Sequence, residues 1–464
     1  MTETALPAKT SRVGDFIANP RRAVWTLAVP VMLGMGIQTL YGIVDMIFIG
    51  RLGGDAIAAL TFSMPLSFFA IGIIFGLGSG ATAAIAQYLG ADDKRAADNA
   101  AEHSLLIGVA MGLVLVGGCL GFRYEIFDLL GAPADILDRA VEYFQIIAAG
   151  FMITILNVTF RSILAGEGDT RTPLAILAAG TILNMGLDPL LIFWAGWGIA
   201  GAAWATVLSQ VLVLVAFLYY FFVRRGTYLD LNLSDFSYSH QIVLQILRVG
   251  VPASMAMVVM SVGGMFFNRI IVSFGSLAVA AYGVGGRLDS IFFLPTIALA
   301  SSMTTLAGMF RGAGRTDLVR STLNYTIWRG QVMSVGFGIV FYVLAEPILR
   351  IFTADPEILR MAVGYIRIIV FSFPFVTIGM VSGRTFQGLG SGLPGLILTS
   401  MRVVLISVPL AYVLTHPLGL GLRSAWVAMP VSAFVSSIAA LVWITARLRR
   451  LEAELATAPK GEPR

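Results

Sequence analysis

Ile136-Leu137-Asp138-Arg139-Ala140-Val141-Glu142-Tyr143-Phe144-Gln145-Ile146-Ile147 returns 222 positions later as Ile358-Leu359-Arg360-Met361-Ala362-Val363-Gly364-Tyr365-Ile366-Arg367-Ile368-Ile369. The same shift carries Pro30 to Pro252, Gly42 to Gly264, Gly53 to Gly275, Ser79 to Ser301 and Thr82 to Thr304. It also carries Gly166 to Gly388, Gly168 to Gly390 and Trp204 to Trp426, with no gap between these points. The chain is therefore two copies of one unit. Its intramembrane acids break the pattern: Asp45 falls on Phe267 and Asp188 on Leu410, while Asn184 and Thr206 fall on Ile406 and Ala428. A symmetric scaffold with an asymmetric set of costly residues points to a working site in the first copy.

Composition sets the class. Of 464 residues, 57% are hydrophobic and only 12% charged, too few charges to cover a soluble protein of this length. Apolar runs long enough to span a bilayer as helices recur throughout. They predict an all-α integral membrane protein with twelve spans, six per repeat. Porin-like strands would alternate in short segments, and none do. The expected organisation is a cytoplasmic N-terminal segment (1–24), a first six-helix lobe (25–223), a cytoplasmic linker (224–245), a second lobe (246–447) and a cytoplasmic tail (448–464). Six is even, so both copies enter the membrane from the same side, as in parallel-repeat secondary transporters. Substrate in such a design is expected between the lobes near mid-membrane, gated by their alternation.

Arginines and lysines of the loops on the N-terminal side outnumber those opposite by about three to one, which makes both termini cytoplasmic. The net charge of +5 is then a topology signal. No basic stripe with interleaved aromatics suggests nucleic acid. The segment before Trp25 is polar and unlike a signal peptide, so insertion without cleavage is expected. The single cysteine, Cys119, excludes a disulfide framework, and His103, His240 and His416 lack metal-ligand spacing. No Walker loop occurs. No enzyme chemistry and no cofactor is expected.

An aspartate inside a span costs roughly 2.5–3.5 kcal/mol on insertion scales and is a functional candidate by default. Gln38, Tyr41 and Asp45 are spaced i, i+3, i+7 on one face of the first span. Asn184 and Asp188 are spaced i, i+4 in the fifth, and Thr206 opens the sixth. At ~1.5 Å per residue all fall in the outer half of the membrane. Two carboxylates, two amides, a phenol and a hydroxyl at one depth suit a proton or a small hard cation. If the ion is sodium, Asp45, Asn184, Asp188 and Thr206 are its expected ligands.

Elsewhere, Pro30 removes a backbone hydrogen bond from the first span and can act as a hinge. Asn157 faces either the first-lobe pocket or a neighbouring helix. Met32, Met64, Met257 and Met260 are candidate cavity residues, since flexible thioethers suit promiscuous binding. Arg287 and Asp289 sit near mid-depth in the eighth span. Asp289 either pairs with Arg402 of the eleventh span or lines the cavity.

These motifs together resemble the multidrug and toxic compound extrusion (MATE) family over essentially the whole chain. The carriers are Pro30, Gln38-x-x-Tyr41-x-x-x-Asp45 with Phe48-Ile49-Gly50-Arg51-Leu52-Gly53, and Gly166-Glu167-Gly168-Asp169-Thr170-Arg171-Thr172-Pro173. Asn184-x-x-x-Asp188-Pro189 and Gly201-Ala202-Ala203-Trp204-Ala205-Thr206 complete the set. The chain is most similar to the DinF-like prokaryotic branch. There the positions matching Gln38, Tyr41, Asp45, Asn184, Asp188 and Thr206 form a first-lobe network linked to proton or sodium coupling. The resemblance implies a V-shaped two-lobe fold and antiport of amphipathic, mostly cationic drugs against an ion gradient across the inner or plasma membrane, by a chain sufficient as a monomer. The NorM-like branch has carboxylates in its seventh and tenth spans that this chain lacks. Three rivals differ in class. A flippase for lipid-linked oligosaccharides would line a groove with many arginines, and here only Arg287 and Arg402 are so placed. An intramembrane enzyme would need companions that His103 and Cys119 lack, and the closed two-lobe repeat does not favour a passive channel.

Overall fold

The computed structural model describes residues 10–52, 54–129, 134–232 and 235–457; within these, the side chains of 54–62, 64–65, 68, 129, 134–136 and 455 are outside the description. Every regular element among the described residues is helical. The first half runs α1 (Val13–Ala18), α2 (Pro20–Gly50), α3 (Gly54–Gly90), α4 (Lys94–Gly121), α5 (Arg123–Leu129), α6 (Ala134–Ala149), α7 (Phe151–Gly166), α8 (Arg171–Pro189) and α9 (Gly198–Leu218). The second runs α10 (His240–Val272), α11 (Ser276–Gly312), α12 (Thr316–Val343), α13 (Ala345–Leu349), α14 (Pro356–Ile369), α15 (Phe373–Gly388), α16 (Leu393–Ser400), α17 (Val408–Thr415) and α18 (Leu422–Thr457).

Eleven helical stretches among the described residues are long and apolar enough to cross a bilayer. The ninth expected span, 322–344, lies in α12. That helix has 28 residues, about 42 Å at ~1.5 Å per residue. It reaches across by length, but Arg329 and Gln331 in its middle set it apart from the eleven.

The chain divides into two compact units. Of the described residues, the first contains those within 10–13, 29–89 and 93–250, and the second those within 14–28, 90–92 and 251–457. The division cuts α2 between Ala28 and Val29 and α10 between Gly250 and Val251, two residues before Pro30 and Pro252. These are equivalent positions of the repeat. Both helices run unbroken through their prolines.

Within the first unit, α8 packs on α9, α4 on α7, and α6 and α7 on α9. Phe127, Phe144 and Phe151 meet edge to face in its core. In the second unit, α11 packs on α12, α14 and α15, and α15 on α18. Phe292 and Phe373 stack there at 3.7 Å, beside buried Tyr365 and Trp426. The repeated glycines have a physical reason. α7 and α15 both end in a reversal in which Gly168 (φ 85°) and Gly390 (φ 79°) adopt the left-handed backbone that favours glycine. Asp169 N–H returns to Leu164 O at 2.8 Å, and Ser391 N–H to Phe386 O at 2.9 Å.

The linker after α9 is held to the first unit by side-chain acceptors. Buried Glu167 takes hydrogen bonds from Thr227 Oγ1, from Leu229 N–H at 3.0 Å and from Tyr228 N–H at 3.4 Å. On α4, Asp98 accepts from Asp230 N–H, Glu102 from Asn232 N–H and His103 Nε2 from Ser239 N–H. His103 Nδ1 lies 2.8 Å from Asn99 O, so that nitrogen carries the proton and Nε2 is free to accept. Residues 240–245, expected in the linker, are instead the first turns of α10.

Candidate functional site

The first unit gathers polar side chains from four helices. Tyr41 and Asp45 come from α2, Tyr143 from α6, Asn184 and Asp188 from α8, and Thr206 from α9. Asp188 precedes Pro189, which lacks a backbone N–H, and the helix continues as a π-helical turn, Leu190–Trp194. Gly201 lets α9 approach this turn: a Cβ there would lie 2.7 Å from Leu191 O.

Asp188 is 0% exposed, and neither of its carboxylate oxygens has a hydrogen-bond donor among the described residues. Both amide atoms of buried Asn184, and Asp45 Oδ1, are likewise without partners. Asp45 and Asp188 are close enough to interact electrostatically with each other and with the phenols of Tyr41 and Tyr143. The Tyr41 hydroxyl lies 3.4 Å from Thr206 Oγ1. Thr206 donates its own proton to Ala202 O at 3.1 Å, so Tyr41 is the donor in that pair.

A pair of like-charged acids with bare oxygens in a low-dielectric setting requires a positive partner. Their oxygens, the Asn184 amide oxygen and the Thr206 and Tyr41 hydroxyls form a donor set that fits a proton or a monovalent hard cation. Among the described residues no three His, Cys, Asp or Glu side chains converge as a metal centre.

The other residues singled out in the sequence are dispersed. Gln38 is exposed and makes no hydrogen bond to this group. Buried Asn157 donates to Gln210 O at 2.9 Å, an interhelical bond from α7 to α9. Pro30 is buried and Met32 half-buried. Met257 and Met260 are 39% and 43% exposed, and the Met64 side chain lies outside the described residues. The expected pairing of Asp289 with Arg402 is not formed. Asp289 instead accepts the Tyr365 hydroxyl at 2.5 Å, because it faces α14, whereas Arg402 belongs to the π-helical stretch Met401–Ser407. Arg287, two residues from Asp289, points elsewhere and lies over the Phe352 ring at 5.4 Å.

Tyr143 was missed in the sequence. It is shared by both repeats, as Tyr143 and Tyr365, and so does not stand out among the polar residues that differ between them.

A family model described as MatE matches residues 30–190 and 252–413, one match per repeat. The chain is 30% identical over 416 residues to a probable multidrug resistance protein NorM of Thermotoga maritima, covering 88% of this chain and 89% of that protein. Among solved structures it is similar to a MOP superfamily transporter from Pyrococcus furiosus, with a TM-score of 0.92 and 31% identity over 96% of this chain and 99% of the other. It is also similar to a MATE in the bent conformation, with a TM-score of 0.93 and 32% identity over 97% of this chain and all of the other.

Proposed function

The chain belongs to the MatE family of membrane transporters, and from that premise we propose that it is a secondary active antiporter. It exports amphipathic, mostly cationic drugs or toxic compounds by alternating access, in exchange for protons or sodium ions. The observation that carries this reading is the pair Asp45 and Asp188 with their donor-less buried oxygens. The name of the Thermotoga relative states multidrug resistance, and that of a Staphylococcus aureus relative, 24% identical over 402 residues, states multidrug export.

A proton, a sodium ion or a cationic drug can each neutralise the pair, so occupancy by one disfavours the others. This gives antiport without contact between drug and ion. Loading the ion on Asp45 changes what α2 bonds to, and Pro30, with no N–H to give, is where α2 yields most easily. The relative solved in a bent conformation makes such a movement reasonable for the fold. Both termini lie in the cytoplasm, the membrane is the plasma or inner membrane, and one chain suffices because the repeat supplies both lobes.

The test is dye efflux by purified protein in liposomes, with a pH gradient or a sodium gradient imposed separately. Efflux that follows one gradient is the expected result. Efflux indifferent to both would overturn antiport and leave a passive pathway. Movement of a lipid-linked oligosaccharide but not of dye would identify a flippase.

A further inference from the structure

The second unit contains a carboxylate set against the same repeat position that serves the first. Tyr143, beside Asp45 and Asp188, is Tyr365 shifted by 222. Tyr365 is 1% exposed and donates its hydroxyl to Asp289 Oδ2 at 2.5 Å. Its ring lies across Gly285, one helical turn before Asp289 on the same face of α11. A Cβ at Gly285 would come within 2.3 Å of Tyr365 Cδ1, so the glycine makes the room that brings the phenol onto the carboxylate. Tyr282 and Trp426 meet the Tyr365 ring edge to face, at 5.4 and 5.6 Å. Asp289 Oδ1 is buried with no donor.

Among the described residues Asp289 has no ion pair, and its electrostatic partners are Tyr282 and Tyr365. The charged side chains of α12, α14 and α15, which pack on α11, are engaged elsewhere. Arg329 of α12 lies over Tyr325, Arg367 of α14 over Tyr342, and Arg384 of α15 bonds to Gln387. Asp317 pairs with Arg315, Arg320 with Glu452, and Glu357 with Arg360. Two carboxylate oxygens among phenols and an indole are too few ligands for a hard cation, which takes about six oxygens. A proton needs only one lone pair.

We infer that Asp289, held by Tyr365, is a second proton-binding site, located in the second lobe, so that each half of the transporter carries its own. The proton binds Oδ1 from water and returns to water, while Tyr365 keeps its hydrogen bond to Oδ2. The acids do not obey the repeat, but the tyrosine does, and each lobe sets a carboxylate against it from a different helix. At the position equivalent to Asp289 the first lobe has Ser67. The inference rests on the antiport reading for its use in transport, but proton binding can be tested without transport.

The measurement is an infrared pH titration of the full-length protein in detergent, following the C=O band of protonated carboxylic acids from about pH 5 to about pH 9. Asp289→Asn should remove one component of that band, and Tyr365→Phe should shift its frequency and midpoint, because it removes the hydrogen bond and leaves the acid. Gly285→Ala should shift it in the same way by displacing the ring. A band identical to wild type in Asp289→Asn overturns the inference. If that variant does not fold, Tyr365→Phe decides: a shifted component supports the site, and an unchanged band overturns it. Failure of the antiport reading would show separately, as wild-type dye efflux indifferent to both imposed gradients.

Discussion

Tyr41 donates to Thr206 Oγ1 across 3.4 Å, and this bond ties the Asp45-bearing face of α2 to α9. Interhelical hydrogen bonds in membranes contribute about 0.6 kcal/mol on average. A double-mutant cycle with Tyr41→Phe and Thr206→Ala, read by reversible unfolding in detergent, should therefore give a coupling of about 0.5–1 kcal/mol. Strict additivity of the two changes would mean that the bond does not form.

Asp45→Asn preserves shape and removes a charge that costs roughly 2.5–3.5 kcal/mol to insert, so expression should stay near normal. Gradient-driven efflux of a cationic dye should fall at least about tenfold, the loss of at least ~1.4 kcal/mol of coupling. In detergent, raising proton or sodium concentration should weaken dye binding to the wild type, and Asp45→Asn should flatten that dependence. Dye affinity that ignores both ions in the wild type would leave only an indirect conformational coupling.

Asp188→Leu copies the second lobe's Leu410 into the first and should abolish efflux. The reciprocal region is apolar, with Leu410 packed against the second unit's core, so Leu410→Ala should cost some stability but leave ion dependence intact. Equal tolerance of the two changes would contradict a special role for Asp188.

Glu167 lies just beyond the end of α7, where burial pushes its carboxyl above the usual range despite three hydrogen bonds from the linker. A raised value means that the folded state holds the proton more tightly than the unfolded chain. The stability it contributes is fully present below the unfolded value, near 4.5, and is lost as pH rises through the folded one. Melting temperatures in detergent should thus fall more with rising pH in the wild type than in Glu167→Gln. Parallel curves would show that Glu167 does not change its protonation there.

Much of this protein is legible one residue at a time. A bilayer forces every backbone group to bond within its own helix, so runs of about twenty apolar residues announce their spans. Even α12 was placed by length although Arg329 and Gln331 dilute it. The 222-residue shift exposed the repeat, and the glycines it preserves at 168 and 390 are positions where both lobes need a left-handed backbone. Asp45 and Asp188 stood out because an acid in a span is expensive and their repeat partners are apolar.

The partners of these residues were not legible. Spacing along one helix says which side chains share a face, never which neighbour that face meets. Hence the sequence leaves Asp289 open between Arg402 and the cavity, and the structure bonds it to Tyr365. Tyr143, hidden in the sequence as part of a repeat, acquires its place beside the acids only when α6 packs on α9. The strap of linker N–H groups on Asp98, Glu102, His103 and Glu167 likewise depends on contacts more than 60 residues apart in the chain, up to 136. By itself the sequence determined the helices, the repeat and where the costly charges lie, because those follow from local hydrogen bonding and transfer to lipid. Tertiary packing alone decided which charges share a group and which tyrosine each acid faces, because an electrostatic partner is set by distance in space.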